Sequence, residues 1–295
     1  MMEATESQDD WLKEEMASPD YVRFTETKEI ISTDLHEIYN FMGGREILEH
    51  TTRDGTKLAL KVRPPWAYKR SDAEMMRYAA THGVLAPKVR GIYEVMNTEP
   101  IYIVVVSERV SGVSLDTVWQ DMSETEQADI KRQLREQLAQ MRKCTLPRIG
   151  RPDRGPMRNM FSRLELLYHE GWDTEEEFEE WLLKRVGYGI GASVMRWRCR
   201  KGIKEWRTRS KDQQKLTRFV LTHGDLSPRN IMVDGSKITG IVDWDNAGFY
   251  PEWAEYAFAM ALGHEIERWW RPVLEEILEP CPEGLLKLTG YAENW

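Results

Sequence analysis

The chain has few cysteines and lacks long apolar runs. Its three cysteines, Cys144, Cys199 and Cys281, are far apart, odd in number and without metal-ligand spacing. This favours reduced thiols over a disulfide framework or a zinc site. No apolar run approaches the length of a membrane span, and the acidic segment 1–15 has no apolar core of a signal peptide. We therefore expect a cytoplasmic protein without a membrane partner.

An excess of positive charge is also missing. The formal net charge is −8, which argues against general affinity for nucleic acid. The stretch 184–218 is an exception, because it is dense in Lys and Arg and contains Trp197 and Trp206. Basic residues interleaved with aromatic ones can bind nucleic acid or another anionic partner. A solvated helix face with its Trp side chains packed inward explains the same pattern, and we favour that interpretation.

Strand patterns dominate the first third of the 295 residues and helix patterns most of the rest. Apolar runs on both sides of Asp54-Gly55 predict a β-hairpin. Capping boxes at 71–74 and 123–126 predict two helix starts, and the second helix has an apolar stripe. Segregated elements of this kind predict an α+β fold. We place a small β-rich lobe at residues 1–109 and a larger helical lobe at 110–295.

The most informative stretch lies late in the chain. Residues 221–233 are Leu-Thr-His-Gly-Asp-Leu-Ser-Pro-Arg-Asn-Ile-Met-Val, and residues 241–245 are Ile-Val-Asp-Trp-Asp. The apolar runs between them flank Asp234-Gly235, which predicts a second hairpin. A turn of about two residues centred on that pair would place Asp243 opposite Leu226 or Ser227.

Asp225, Asn230 and Asp243 are therefore predicted to meet at one end of this hairpin. Carboxylate and amide oxygens suit a hard cation such as Mg²⁺, which takes few protein ligands and keeps positions for phosphate oxygens. An Asp beside the metal can orient a hydroxyl group or take its proton. Asp and Asn are also ordinary turn residues, but the spacing of the whole set favours catalysis over a structural role.

These segments carry a resemblance to a known family. His223-Gly-Asp225 with Asn230, followed by Asp243-Trp-Asp245-Asn-Ala-Gly248 and Pro251-Glu252, resembles the aminoglycoside phosphotransferase and choline kinase superfamily. Its members are small-molecule kinases with a two-lobed, protein-kinase-like fold. The segment 101–112 is similar to the hinge of the fungal branch. The resemblance implies a phosphotransferase that uses ATP and Mg²⁺ on a hydroxyl group of a small metabolite.

The resemblance also implies roles in the catalytic loop and metal-binding hairpin, residues 221–245. Asp225 would be the catalytic base or hydroxyl-orienting group, and His223 would fix the loop. Arg229 would touch the γ-phosphate or point to solvent. The remaining assignments are Ser227 in the catalytic loop, Asn230 and Asp243 as Mg²⁺ ligands, and Asp245 in support of the metal site.

In the first lobe, Ala59-Leu60-Lys61 is similar to the kinase strand whose lysine pairs the α- and β-phosphates. That implies phosphate binding by Lys61, with Glu74 holding the lysine in place, although a capping box accounts for Glu74 equally. Gly43-Gly44 is a weak candidate for the phosphate loop. The adenine would be received through the backbone of the hinge, at Ser107, Glu108 and Val110, where Glu108 and Arg109 are otherwise surface charges.

The acceptor is expected to be neutral, anionic or apolar rather than polycationic. The resemblance places substrate-binding helices at about 152–219, which includes the basic stretch, whereas a polycation needs carboxylates. The acidic run 173–180 could instead face the pocket. Two alternatives stay open: a non-catalytic nucleotide- or partner-binding module, and a metabolite-modifying enzyme that uses this scaffold for other chemistry. A protein kinase is disfavoured, because little chain separates Asp243 from Pro251.

Overall fold

The computed structural model describes residues 36–41, 45–52, 54–64, 66–96, 100–152, 154–161, 168–187, 190–209, 218–263 and 265–293. The acidic segment 1–15 and Gly43-Gly44 lie outside these residues. The chain forms two compact units. One takes the described residues up to Thr81 together with Ala86–Val110, and the other takes His82–Leu85 and the described residues from Ser111 onward. No helix within the described ranges is long and apolar enough to cross a membrane.

The first unit is built on an antiparallel sheet in the order β1-β2-β3-β5-β4. The apolar side of β3 enters the core, where Leu58, Leu60 and Val62 are buried together. Ala59 and Lys61 lie on the opposite side and are half-buried, as the alternation predicted. The elements are β1 (His36–Phe41), β2 (Arg45–Thr51), β3 (Lys57–Arg63), α1 (Arg70–Thr81), β4 (Val89–Met96) and β5 (Pro100–Glu108).

The hairpin predicted at Asp54-Gly55 is present between β2 and β3. Thr51 pairs with Lys57 at the last rung. Gly55 has a φ of 85°, a left-handed conformation that glycine adopts without strain. The Asp54 carboxylate accepts the backbone N–H of Thr56 at 3.0 Å. Asp54 and Gly55, the two residues that predicted the turn, therefore also stabilise it.

The second unit holds most of the helices and three small sheets, ordered β13-β10-β7, β12-β11-β6 and β8-β9. The α+β prediction is confirmed. The helices are α2 (Glu124–Lys143), α3 (Glu175–Arg185), α4 (Ile190–Arg209), α5 (Ala254–Ala261), α6 (Arg271–Ile277) and α7 (Glu283–Ala292). The strands are β6 (Val113–Ser114), β7 (Thr145–Leu146), β8 (Met157–Arg158), β9 (Tyr168–His169), β10 (Phe219–Thr222), β11 (Ile231–Asp234), β12 (Lys237–Ile241) and β13 (Gly248–Tyr250).

Helix α2 begins and packs as its sequence predicts. The Glu126 carboxylate accepts the backbone N–H of Ser123 at 2.8 Å, and the Ser123 hydroxyl accepts the N–H of Glu126 at 3.4 Å. This capping box satisfies N–H groups that the first turn leaves without partners. The apolar stripe of the helix is fully buried and consists of Ile130, Leu134, Leu138 and Met141. The helix packs against β10, which precedes the loop 223–230, and against β12, the second strand of the hairpin that follows this loop.

Candidate active site

The second predicted hairpin forms with a different register. Asp234 pairs with Lys237, so the turn residues are Gly235 and Ser236 rather than Asp234 and Gly235. A bulge between Met232 and Val233 then shifts the ladder by another residue. The extra residue is Thr239, next to Gly240, and a glycine inside a strand is the sequence signal that could have indicated the bulge.

The predicted position of Asp243 opposite Leu226 or Ser227 is therefore wrong. The ladder ends with Ile231 opposite Ile241, and the next hydrogen bond runs from the Val242 N–H to the Asn230 carbonyl at 2.8 Å. Asp243 follows directly, at the end of the hairpin where Asn230 lies. Asp243 still lies at the same end of the hairpin as Asn230, because the observed register differs from the predicted one by only two or three residues.

His223 fixes the catalytic loop from inside. Its ring is completely buried, with Nε2 3.0 Å from the Val242 carbonyl and Nδ1 3.2 Å from the Asp225 backbone N–H. Burial lowers the pKa of His223, against the opposing field of nearby carboxylates that include Asp225 and Asp243. A neutral imidazole suits both bonds, since one nitrogen donates and the other accepts. The ring holds the loop against the hairpin, which is the role expected of it.

Glu255 is a second anchor, which the sequence did not reveal. Its two carboxylate oxygens accept the backbone N–H groups of His223 at 2.6 Å and Gly224 at 3.0 Å. Burial raises the pKa of Glu255 to about 7, even though both hydrogen bonds act in the opposite direction. Gly224 has a φ of 81°, so the loop turns in a conformation that favours glycine. A glutamate within the apolar run of α5 was the one available signal.

The structure brings the four predicted catalytic residues together. The carboxylate of Asp225 accepts the Ser227 hydroxyl at Oδ1 and Nη2 of Arg229 at Oδ2, the latter at 2.7 Å. The side-chain amide of Asn230 donates to the Asp225 carbonyl at 3.0 Å. Asp225 and Arg229 stay partly exposed, with 23% and 30% of their side chains accessible. An accessible carboxylate with a fixed orientation can bind a hydroxyl group and receive its proton.

Arg229 does not end in solvent. Its Nη1 donates to the Glu267 carboxylate, so the guanidinium bridges Asp225 and Glu267. Burial opposes the charge of Arg229, but Asp225, Glu267 and Asp243 more than offset it, so the pKa of Arg229 is raised. Arg229 therefore remains a cation beside the predicted base.

The predicted metal ligands Asn230, Asp243 and Asp245 lie on adjoining segments. Asp243 is exposed and has a left-handed backbone, with φ 64° and ψ 63°. Asp245 is buried, and its Oδ2 lies 3.5 Å from Nη1 of Arg158. No group of three or more His, Cys, Asp or Glu side chains within the described ranges is arranged to hold a metal ion. The predicted set has only two such side chains, because its third member, Asn230, is an amide. This absence therefore does not test the set, and its metal-binding role stays a prediction.

Arg151 binds the segment that follows the hairpin, a contact that the sequence did not predict. Its guanidinium is 1% exposed and donates to the backbone carbonyls of Asp245 at 3.0 Å and Ala247 at 3.3 Å. A buried arginine with backbone partners fixes the path of a loop through several directed bonds. No pattern around residue 151 indicated this contact.

In the first unit, Lys61 and Glu74 occupy different surroundings. Nζ of Lys61 lies 5.4 Å from the centre of the Tyr68 ring. Glu74 forms ion pairs with Arg77 at 3.1 Å and Arg70 at 3.5 Å, both within α1. In this structure Glu74 thus forms ion pairs within its own helix, whereas the sequence predicted a pairing with Lys61.

The capping box predicted at 71–74 is wrong. Helix α1 already begins at Arg70. The residue that accepts a backbone N–H at its start is Asp72, which receives the Lys69 N–H at 2.7 Å. Ser71 is inside the helix and buried. The capping geometry is displaced by two residues, because Asp72 rather than Glu74 faces the free N–H groups.

The segment predicted to receive adenine is the end of β5. Ser107 is buried and pairs with Ala59. The backbone N–H of Glu108 donates to the Lys88 carbonyl at 2.9 Å, while the Val110 carbonyl accepts the Arg109 side chain. The charged side chains at this end are ion-paired. Glu108 binds both Lys88 and Arg90, whereas Arg109 binds Glu49. Adenine binding at Ser107, Glu108 and Val110 stays a prediction.

Most of the basic stretch forms α4, beside the acidic helix α3. Arg207 forms ion pairs with Glu176 and Glu179, and Arg200 with Glu180. The acidic run therefore neutralises part of the basic field. Trp197 is 60% exposed, so the expectation that both Trp side chains pack inward is wrong for this residue.

Comparisons with known proteins agree with this architecture. The model of the phosphotransferase enzyme family, APH, matches residues 48–286, whereas no curated protein matches. A thermostable mutant of aminoglycoside phosphotransferase APH(4)-Ia, solved with AMP-PNP and hygromycin B, is 17% identical with a TM-score of 0.54 over 88% of this chain and 84% of that one. A suggested fructosamine-3-kinase from Thermobifida fusca YX-ER1 is 17% identical with a TM-score of 0.53 over 86% and 81%.

A third solved structure, an aminoglycoside-3'-phosphotransferase of type VIII, is 16% identical with a TM-score of 0.52 over 98% of both chains. Likeness at these identities shows the fold, which is the protein-kinase-like fold with a small β-rich lobe and a larger helical lobe. The family model covers most of the chain, well beyond the catalytic loop alone. The protein therefore belongs to the phosphotransferase enzyme family.

Proposed function

We propose that the protein is an ATP- and Mg²⁺-dependent kinase that phosphorylates a hydroxyl group of a small metabolite. The observation that carries the proposal is the arrangement of Ser227, Arg229 and Asn230 around Asp225. Glu255 and His223 hold this loop from the buried side. A loop fixed by so many directed bonds is the kind of preorganised site on which phosphoryl transfer depends.

Asp225 orients the acceptor hydroxyl and takes its proton. The hydroxyl oxygen forms a bond to the γ-phosphorus of ATP, and the bond from that phosphorus to the β–γ bridging oxygen breaks. ADP leaves with the electron pair of that bond, and the hydroxyl proton passes to the Asp225 carboxylate. Arg229 and Ser227 keep the carboxylate turned toward the acceptor.

Asn230 and Asp243 would hold Mg²⁺, with Asp245 in support. Their oxygens are the hard donors that this cation prefers. Asn230 uses its amide N–H on the Asp225 carbonyl, which leaves the amide oxygen as the end that can ligate. Mg²⁺ when bound neutralises charge on the phosphates of ATP.

In the first unit we assign phosphate binding to Lys61, next to the small side chain of Ala59, and adenine recognition to the backbone at Ser107, Glu108 and Val110. The support is the similarity of this strand to the kinase strand with a phosphate-binding lysine. The solved APH(4)-Ia relative holds AMP-PNP, which favours nucleotide binding by this fold.

The acceptor in this proposal is neutral, anionic or apolar. The support is the charge of α4, where Arg198 and Lys204 are exposed, while carboxylates of the acidic run are bound by Arg200 and Arg207. A polycation near several basic side chains would meet repulsion of about 1 kcal/mol per close pair in a wet site. The free thiols of all three cysteines support a cytoplasmic location.

Two measurements test the proposal. Thermal stability with ATP plus Mg²⁺ should rise above that with either alone, and ADP release should appear with one or more alcohols from a panel of sugars, amines and acidic or neutral metabolites. Stabilisation without ADP release from any acceptor would favour a non-catalytic nucleotide-binding module. Efficient turnover of a polyamine sugar, with none of the uncharged alcohols, would contradict the proposed acceptor class.

A further inference from the structure

The segment Glu265–Trp270 contacts the catalytic loop at two points. Trp270 is 1% exposed, and its Nε1–H donates to the Leu226 carbonyl at 3.0 Å. Three residues earlier, the Glu267 carboxylate accepts Nη1 of Arg229. Both contacts are made to residues that follow Asp225 in the loop, Leu226 directly and Arg229 four positions after Asp225. The segment is therefore placed to influence the predicted base without contacting it.

Arg229 transmits the second contact. One end of its guanidinium fork is held by Glu267 and the other lies 2.7 Å from Oδ2 of Asp225. An arginine side chain held at one point keeps much of its rotamer freedom, whereas a planar fork held at both ends has one orientation. The Glu267 side chain is 13% exposed, so water competes little for this bond.

The orientation matters because of the lone pairs on Asp225. A carboxylate has about four acceptor positions, and Ser227 and Arg229 use one on each oxygen. The positions that remain are those open to an acceptor hydroxyl. Their direction is set by the plane of the carboxylate, and that plane is set by Ser227 and Arg229. Removal of Glu267 lets the Arg229 side chain rotate, and the plane of the Asp225 carboxylate is then held less firmly.

We propose that Glu267 is a positioning residue for phosphoryl transfer that acts through Arg229 on the carboxylate of Asp225. This inference rests on the proposed function. It adds a residue from a separate segment of the chain to the site, and it predicts an effect on turnover rather than on nucleotide binding.

The first test uses Glu267→Ala and Glu267→Gln, with Glu279→Ala as an exposed matched control. Because small misplacements of reacting groups lower rates by up to about 10²-fold, we expect kcat of Glu267→Ala to fall about 10- to 100-fold. The KM for ATP and the melting temperature should match those of the control. Glu267→Gln should recover most of the rate, because its amide oxygen can still accept from Arg229.

A double-mutant cycle separates positioning from a simple structural role. If Glu267 acts through Arg229, Glu267→Ala should cause no further loss of kcat in an Arg229→Ala background. Fully additive losses would overturn the inference, as would a wild-type kcat in Glu267→Ala. A raised KM for ATP or a lowered melting temperature with unchanged kcat would also overturn it. If the wild-type chain transfers no phosphoryl group to any acceptor, the proposed function fails and this inference fails with it.

Discussion

The two units place their candidate residues in different ways. In the second unit, Asp225, Arg229 and Asn230 are joined by direct hydrogen bonds. In the first unit, Lys61 lies over a tyrosine ring while Glu74 is bound to arginines of its own helix. Residues close in sequence on a loop can reach one another with hydrogen bonds that span only a few positions. A pair on a strand and a helix meets only if packing turns the helix correctly, and a capping pattern carries no information about that rotation.

Asp225→Asn tests the densely bonded loop and should have the largest effect. The replacement keeps the shape of the side chain but cannot take a proton from the acceptor. We expect turnover to fall about 10²- to 10⁴-fold with nucleotide binding nearly unchanged. Acceptor phosphorylation and the thermal shift with ATP measure the two quantities. Phosphorylation at the wild-type rate would remove Asp225 from catalysis.

Asp243→Ala should abolish the Mg²⁺-dependent part of the stabilisation by ATP, because it removes a proposed ligand. Alanine also strains the left-handed backbone at this position by about 1–2 kcal/mol, so Asp243→Asn is the matched variant that tolerates the conformation. Melting curves with ATP, with and without Mg²⁺, measure the effect. An unchanged Mg²⁺-dependent shift in both variants would exclude the metal role.

Glu255→Ala tests how far the loop depends on its buried anchor. It leaves the N–H groups of His223 and Gly224 without their acceptor, at about 1–3 kcal/mol for each buried group. We expect a loss of a few kcal/mol in the free energy of unfolding, measured by chemical denaturation. The exposed Glu252→Ala should change it far less, and equal losses would contradict an anchoring role.

The pKa of Glu255 adds a dependence on pH. Burial raises it from 4.5 to about 7, so between these values the folded chain retains a proton that the unfolded chain releases. The contribution of Glu255 to stability is therefore present in full below pH 4.5 and falls as the pH rises toward 7. Glu255→Gln should remove this part of the slope. Parallel stability curves for the variant and the wild type would contradict the assignment.

Glu74→Ala should have the smallest effect and would sharpen the contrast between the units. It removes two partly exposed ion pairs within α1, together worth about 1 kcal/mol or less. The KM for ATP should stay unchanged, whereas Lys61→Met should raise it. ATP titrations of both variants provide the measurement. A similar rise in both would restore Glu74 as the partner of Lys61.

Local patterns predicted the elements that depend on local bonds. The Asp54-Gly55 turn and the Ser123 capping box are present because they form through hydrogen bonds between residues two or three positions apart. The second hairpin formed with another register, since a bulge and a displaced turn depend on how the strand packs. The anchors Glu255 and Arg151 reach the site from distant parts of the chain. A glutamate in an apolar helix indicates a buried partner, but a single sequence does not show which distant groups it contacts.

The left-handed backbone at Asp243 bears on how a lineage of such chains would drift. Gly, Asn and Asp occupy this conformation with the least strain, and single-base changes connect an Asp codon to codons for Asn and Gly. Either replacement removes the carboxylate and leaves the hairpin folded. A descendant chain that lost the Asp243 carboxylate in this way would therefore keep its fold.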